Sequence, residues 1–265
     1  MGVVNVTPDS FYDGGRHFDV SAAIAHARRL IADGADLVDV GGESTRPGAE
    51  PVSEAEEIAR VTPLIRAIRA ESAVPISVDT MKPAVARAAI AAGASMWNDV
   101  TALRHAPDSL AVAAELSCEV VLMHMLGEPR TMQAEPHYDD VTAEVAAFLQ
   151  ARAEAAMAAG VARERIWLDP GIGFGKHMIR HNLPLIAGLE TITALGFPVL
   201  LGVSRKSFIS AIDGGGRPAD ARLGGSIAGA LAGAVAGVAA VRVHDVRETV
   251  QALRVWQAIE AARND

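Results

Sequence analysis

The chain has 265 residues, with 24 Lys+Arg against 32 Asp+Glu for a formal net charge of −8; half of it is hydrophobic and only 4% aromatic. That balance excludes a nucleic-acid or anionic-membrane binder that works through its overall field, so any anionic ligand must be held by local positive charge. The length suits one α/β barrel of ~250 residues or two small domains, and the single cysteine, Cys118, excludes an internal disulfide and a multi-cysteine metal site.

Short β-branched runs alternate with Ala-rich stretches along the whole chain. Strands are predicted near residues 3–6, 37–40, 76–78, 96–98, 120–123, 166–168, 199–201 and 240–243. Helices are predicted to start near Ser21, Ser53, Pro83, Pro107, Val141, Leu183, Arg222 and Asp245. Ser53 with Glu56, and Asp245 with Glu248, read as capping boxes. Gly34, Gly93, Gly160 and Gly196 each stand where a helix ends before the next strand. The uncharged stretch 223–241 reads as a soluble helix whose Leu223, Ile227, Leu231 and Val235 face is built for close packing, not as a membrane span. Cys118, in LSCEVVLM, reads as a small buried hydrophobe. The start, MGVVNVTPDS, has neither a basic region nor an apolar signal core, which predicts a soluble cytoplasmic protein. Eight β-then-α units argue for a single-domain (β/α)8 TIM barrel over residues 1–265, with a doubly wound open sheet as the structural alternative.

In such a barrel the active site is built at the C-terminal ends of the strands. Here those ends carry Asn5, Glu43, Asp79, Asn98 with Asp99, His124, Asp169, Ser204-Arg205-Lys206, and Arg242 with His244. Each alone has a helix-capping explanation; together they are expected to face one cup. Asp79, Asn98 and Asp169 suit a flat heterocycle with amide and amino groups, because a carboxylate pairs with an N–H/NH2 edge through two hydrogen bonds. Arg46, Lys206, Arg242 and His244 suit a phosphate or pyrophosphate. Two Gly/Pro-rich loops, residues 7–18 and 41–51, lie on the same side and are expected to act as lids.

The segments MGVVNVTPDSFYDGG, VDVGGESTRPGA, ISVDT, NDV, VLMHM, DPGIGFGK, GVSRKS and RVHD together resemble the dihydropteroate synthase family, the sulfonamide-sensitive enzymes of folate synthesis. The resemblance runs nearly the full length and in the family's order. It implies a barrel, a homodimer, and transfer of the pterin group of 6-hydroxymethyl-7,8-dihydropterin diphosphate to 4-aminobenzoate, giving 7,8-dihydropteroate and pyrophosphate. By position it implies pterin contacts from Asp79, Asn98 and Asp169, with Lys206 bordering the ring and Met123 and Gly202 lining the pocket. Thr45, Arg46, Asn5, Arg242 and His244 match the diphosphate region, and Asn5 and Asp13 match positions associated with Mg2+. Phe11, Pro47, Phe174 and Ser207 match the 4-aminobenzoate subsite. Asp79, Asp169, Lys206 and Arg46 are the expected catalytic set.

The chain departs from the family in three places. It begins at strand one, where relatives have earlier residues, which suggests that Met1 is an internal methionine of a longer protein. HMIR, between Lys176 and His181, is one residue longer than usual and is expected to shift Phe174. Tyr12 stands where a small Ser is common. Competing readings are a corrinoid-methyltransferase pterin domain, a non-catalytic pterin binder, and a metal-dependent hydrolase barrel. The first two should lack part of the Arg46 and Ser204-Arg205-Lys206 set; the third carries His-x-His where this chain has Asn5-Val6-Thr7. His177 and His181 read as surface-loop residues rather than metal ligands.

Overall fold

The computed structural model describes residues 1–6, 20–44, 50–127, 132 and 136–263. Among them are eight strands: β1 (Gly2–Asn5), β2 (Val38–Gly41), β3 (Ile76–Asp79), β4 (Met96–Asp99), β5 (Glu119–Met123), β6 (Ile166–Asp169), β7 (Leu200–Leu201) and β8 (Ala240–Val241). The helices are α1 (Val20–Ala32), α2 (Glu54–Glu71), α3 (Pro83–Ala92), α4 (Ser109–Leu116), α5 (Val141–Ala158), α6 (Asn182–Ala187), α7 (Leu189–Thr193), α8 (Ser207–Ile212), α9 (Leu223–Val235) and α10 (Val246–Arg263).

Strands β1 to β6 pair in sequence order, all parallel, and β7 pairs parallel with β8. Parallel bridges Leu168–Val199 and Gly2–Val243 join the two sheets. The Val3 N–H donates to the Val243 carbonyl at 3.1 Å, Val243 N–H to the Met1 carbonyl at 2.9 Å, and Leu168 N–H to the Pro198 carbonyl at 2.9 Å. These bonds leave no open edge, so the sheet is the closed barrel expected from the sequence and not the doubly wound alternative.

The strand period of two divides each strand between two environments. Val4, Val38, Val40, Ile76, Val78, Trp97, Val120, Leu122, Ile166, Leu168, Val199 and Leu201 point outward into the layer between barrel and helices, where Leu64, Ile65, Val85, Leu149 and Leu185 meet them. The other set points inward. Its lower layer is apolar, with Met1, Met96, Val121 and Leu200; its upper layer is polar and forms the site. A cavity of about 620 Å³ opens at the lower, N-terminal end, walled by Met1, Leu37, Met96, Trp167 and Trp256. The polar groups converge at the opposite end.

The local signals sort cleanly. Ser53 accepts from Glu56 N–H at 3.3 Å, as a cap should. Asp245 does not read as expected: its carboxylate holds the Arg205 guanidinium, at 3.0 Å from Nε and 2.5 Å from Nη2. The four helix-ending glycines, Gly34, Gly93, Gly160 and Gly196, all take positive φ. Cys118 is buried, and burial raises its thiol to about 11. The packing face of α9 differs from expectation. Ser226, Ala230 and Gly233 are its buried residues, whereas Val235 is 67% exposed. A Cβ on Gly225, Gly229 or Gly233 would press on Ile209, Val203 or Leu201. The small-residue stripe lets the helix backbone lie close to β7 and the segment after it, while Leu223, Ile227 and Leu231 are half-buried and Val235 is exposed.

Candidate active site

Register sets the upper layer. Asn5 pairs with Gly41, Gly41 with Asp79, and Asp79 with Asn98, so these residues form one row across four strands. A Cβ on Gly41 would stand 3.4 Å from Asn5 Oδ1 and 3.6 Å from Asp79 Cβ. The missing side chain lets Asn5 and Asp79 face the same space. Arg242, just past β8, reaches across the barrel. Its Nε donates to Asp39 Oδ2 at 2.6 Å and its Nη2 to Asp79 Oδ2 at 2.9 Å. Asn98 donates from Nδ2 to Asp39 Oδ2 at 3.4 Å.

Both carboxylates keep one unspent oxygen: Asp39 Oδ1 and Asp79 Oδ1 are buried and accept no hydrogen bond among the described residues. Burial raises the Asp79 carboxyl to about 7; Arg242 opposes this, and Asp39, Glu57 and Asp99 add repulsion. Asp169, at the end of β6, accepts from Gly171 N–H at 2.7 Å, and burial raises its pKa against the pull of Lys206. Burial lowers the Lys206 ammonium to about 8, with Asp169 opposing. Against burial, Asp39 and Asp79 raise the pKa of Arg242, which stays a cation.

Lys206 is the N-cap of α8. Its Nζ donates to the Ile172 carbonyl and lies 4.6 Å from the centroid of the Phe174 ring. Gly202 lies beneath it: a Cβ there would be 4.0 Å from Lys206 Nζ. Phe174 packs on a buried cluster of Val100, Met123, Met125 and Met132. Ser207, the first residue of α8, is exposed. Asp79, Asn98, Asp169, Lys206, Arg242, Asn5, Met123, Gly202 and Phe174 thus line one rim. His244 is a neighbour of that rim through Ser204, whose Oγ lies 3.0 Å from His244 Nδ1. Thr45, Arg46, Pro47, Phe11, Asp13 and Tyr12 lie outside the described residues, as do the whole of the expected lid 7–18 and residues 45–49 of the other.

Not every strand end faces the cup, and here the structure corrects the sequence reading. Glu43 turns to Lys82, 2.5 Å away. Asp99 points outward and closes a turn, accepting from Thr101 N–H and Oγ1 at 2.7 Å each and from Leu103 N–H at 2.8 Å. His124 is buried against Lys176. Arg205 takes a positive φ of 59° that sends its side chain to Asp245, away from the rim. His177 and His181 brace the start of α6: His177 Nδ1 accepts from Ile179 and Arg180 N–H, and His181 Nδ1 accepts from His177 N–H.

A family model described as pterin binding enzyme matches residues 1–244. The chain is 47% identical to the dihydropteroate synthase of Escherichia coli (strain K12) over 265 residues, all of this chain and 93% of that protein. The chain belongs to the dihydropteroate synthase family. It also matches the Xanthomonas albilineans dihydropteroate synthase solved with 4-aminobenzoic acid, at a TM-score of 0.92 and 52% identity over 98% of this chain and 92% of that one. The same organism's enzyme in complex with 7,8-dihydropteroate gives a TM-score of 0.88 and 49% identity over the same shares.

In this dihydropteroate synthase relative, the residue that sequence reasoning missed is Asp39, wholly buried at the centre of the Arg242 cluster. Its signal was present: a lone carboxylate between outward-facing Val38 and Val40 must point into the barrel.

Proposed function

We propose that the chain is a dihydropteroate synthase, transferring the pterinylmethyl group of 6-hydroxymethyl-7,8-dihydropterin diphosphate to 4-aminobenzoate. The observation that carries this reading is the upper layer of the barrel. Acceptor oxygens of Asp79 and Asp169, one of them unpartnered in Asp79, stand in one cup with Asn98 and with two cations, Lys206 and Arg242. The carboxylates hold the amino and N–H edge of the ring. Lys206 borders the ring and, with Arg242, lies where negative charge must be balanced.

The chemistry then follows from charge. Diphosphate leaves with the C–O bonding pair, and the positive charge left on the methylene spreads into the ring, beside Asp79 and Asp169. The arylamine nitrogen forms the new C–N bond and loses a proton. An arylamine is nucleophilic as it stands, so the step needs no strong base. This favours a dissociative, SN1-like substitution. Phe174 walls the arylamine side, with Ser207 at the start of α8 and, from the sequence, Phe11 and Pro47. His244 and, from the sequence, Thr45 and Arg46 belong to the diphosphate side.

Mg2+ belongs to the same proposal. Among the described residues no group of three His, Cys, Asp or Glu would hold a metal ion. A Mg2+ that takes one or two protein oxygens, with phosphate oxygens and water for the rest, fits the hard amide oxygen of Asn5, joined by Asp13. When bound it would help neutralise the diphosphate. We also propose a homodimer in the cytoplasm. Exposed Ile212, Val235, Val255 and Ile259 on α8, α9 and α10 support a second copy as partner. No helix among the described residues is long and apolar enough to cross a membrane.

The test is a coupled assay of pyrophosphate release from the pterin diphosphate with Mg2+ present. Release that depends on 4-aminobenzoate, matched mole for mole by dihydropteroate, is expected. A folded protein that binds the pterin and releases no pyrophosphate would be a binding module, and the proposal would fall.

A further inference from the structure

The reaction uses Lys206, but a second lysine of the same neighbourhood has no part in it. Lys176 ends the DPGIGFGK segment after β6 and is fully buried. Its Nζ lies 2.9 Å from the Gly171 carbonyl, 3.1 Å from the Phe174 carbonyl and 2.8 Å from His124 Nδ1. None of the ion pairs among the described residues involves it. Burial, with Lys206 nearby, pushes its pKa well below the ordinary lysine range. Burial also lowers His124 to about 3, so its ring is neutral. A methionine would fill such a space without the desolvation cost of an amine, so packing alone does not account for a lysine here.

What the amine does is turn the loop inside out. The Gly171 and Phe174 carbonyls point inward to Nζ, while the Ile172 carbonyl and the Phe174 ring, from the same loop, point to Lys206. The rest of the loop is tied to the end of β5. Gly171 and Gly175 have φ of +65° and +61°, and a Cβ on either would collide with the carbonyl of His124 or Leu126. Tyr138 donates to the Gly175 carbonyl at 2.8 Å, and Gly173 N–H donates to Asn182 Oδ1 at 2.8 Å.

We propose that Lys176 is a positioning residue for the arylamine step: by drawing the Gly171 and Phe174 carbonyls inward, it sets the Phe174 ring as a wall of the 4-aminobenzoate subsite and a rest for Lys206. This rests on the assignment of Phe174 to that subsite. A residue acting through Phe174 should matter only while the Phe174 ring is there, which a general loss of structure would not reproduce.

The experiment is steady-state kinetics of the full chain carrying Lys176→Met, Phe174→Ala, or both. Each single variant should raise KM for 4-aminobenzoate about tenfold and leave KM for the pterin diphosphate within about threefold, as expected for a displaced positioning group. The double variant should be no worse than the poorer single one. Lys176→Gln, which keeps donors for the same carbonyls, should recover part of the loss. If Phe174→Ala leaves KM for 4-aminobenzoate unchanged, the subsite assignment fails and the proposal falls with it. If Phe174→Ala raises that KM but Lys176→Met does not, or the two effects multiply, the proposal alone is overturned. Tyr138→Phe frees the loop at Gly175 without disturbing the buried amine, so it gives a reading even if the Lys176 variants do not fold. It should raise KM for 4-aminobenzoate about twofold, in line with one neutral hydrogen bond, and an unchanged KM overturns the proposal.

Discussion

Two buried ion clusters stand on neighbouring strands, and they are built to opposite ends. Lys82 donates to Glu43 at 2.5 Å, to Glu57 at 2.7 Å and to the Val52 carbonyl at 2.6 Å. All three ammonium hydrogens are used, and the result ties the end of β2 to the start of α2. Arg242 makes a similar bridge between Asp39 and Asp79, but leaves Oδ1 of each carboxylate without a hydrogen bond. Exposure does not separate the two: Glu57 also keeps one such oxygen, Glu43 and Lys82 are 11% and 9% exposed, and Asp39, Asp79 and Arg242 are 0%, 11% and 22% exposed. The first cluster spends every hydrogen of its cation on partners from separate chain segments and serves the fold. The second stands inside the barrel at its polar end, with Arg242 its most exposed member, and the buried Oδ1 of Asp79 is the acceptor that the proposed pterin ring would meet. The same residue types are structural or functional according to whether they lie between chain segments outside the barrel or inside it at the polar end.

The comparison breaks most decisively at Lys82. Lys82→Met leaves Glu43 and Glu57 without their cation, and removing one partner of a buried pair costs ~3–5 kcal/mol. Urea unfolding should show a loss of that size. A loss under ~1 kcal/mol, the level of a surface pair, would mean that the Lys82 cluster is not what holds the two segments together.

Asp79→Asn should act the other way. The amide keeps an acceptor for Arg242 and sheds a carboxylate that burial disfavours, so the unfolding midpoint should not fall. Pterin affinity by calorimetry should drop about a hundredfold, the scale of a lost hydrogen bond to a charged group plus an amide donor turned toward ring donors. Unchanged affinity would mean that the unpartnered oxygen of Asp79 faces no ligand. A large fall in stability would place Asp79 with Lys82 among the structural ions.

The barrel was legible because eight alternations of β-branched and Ala-rich segments leave few topologies, and positive-φ glycines marked four helix ends. The site was legible where strand parity and strand end coincide, at Asp79, Asn98 and Asp169. It was misread where only the strand end was considered. Asp99 follows Asn98 directly, so one of the pair must point out of the barrel, and the outward one caps its own turn. Glu43 lies two residues beyond β2, where alternation no longer fixes direction, and Lys82 captures it. Arg205 needs the left-handed φ of a turn that GVSRKS does not announce. Asp39 is the converse case: parity alone would have placed it inside, but it sits in mid-strand rather than at an end. The inward turn of the α9 glycine stripe was hidden for a different reason, since spacing reports which residues share a face but not whether the large-residue face or the glycine stripe meets the sheet.

The finest distinction between the clusters is in pH. Lys82 and Glu57 meet each other inside the fold, so their charge state is not set against a ligand's. Asp79 is raised to about 7 by burial and Lys206 is lowered to about 8 by burial. The raised Asp79 gives no stability when ionised. Folding disfavours its carboxylate, and the cost accumulates as pH rises from its unfolded value of ~3.9 to about 7. A ring that needs that carboxylate must expel its proton below about 7, so pterin affinity should fall by up to about tenfold per pH unit on the acid side. Above about 8 Lys206 loses its charge, and the diphosphate should lose affinity there while the pterin alcohol, which has no phosphate, changes less. Calorimetry of both ligands from pH 5 to 9 separates the two limbs. In Asp79→Asn the acid limb should vanish and the alkaline limb remain. An acid limb that survives the substitution belongs to another carboxyl, with Asp169, also raised by burial, as the next group to replace.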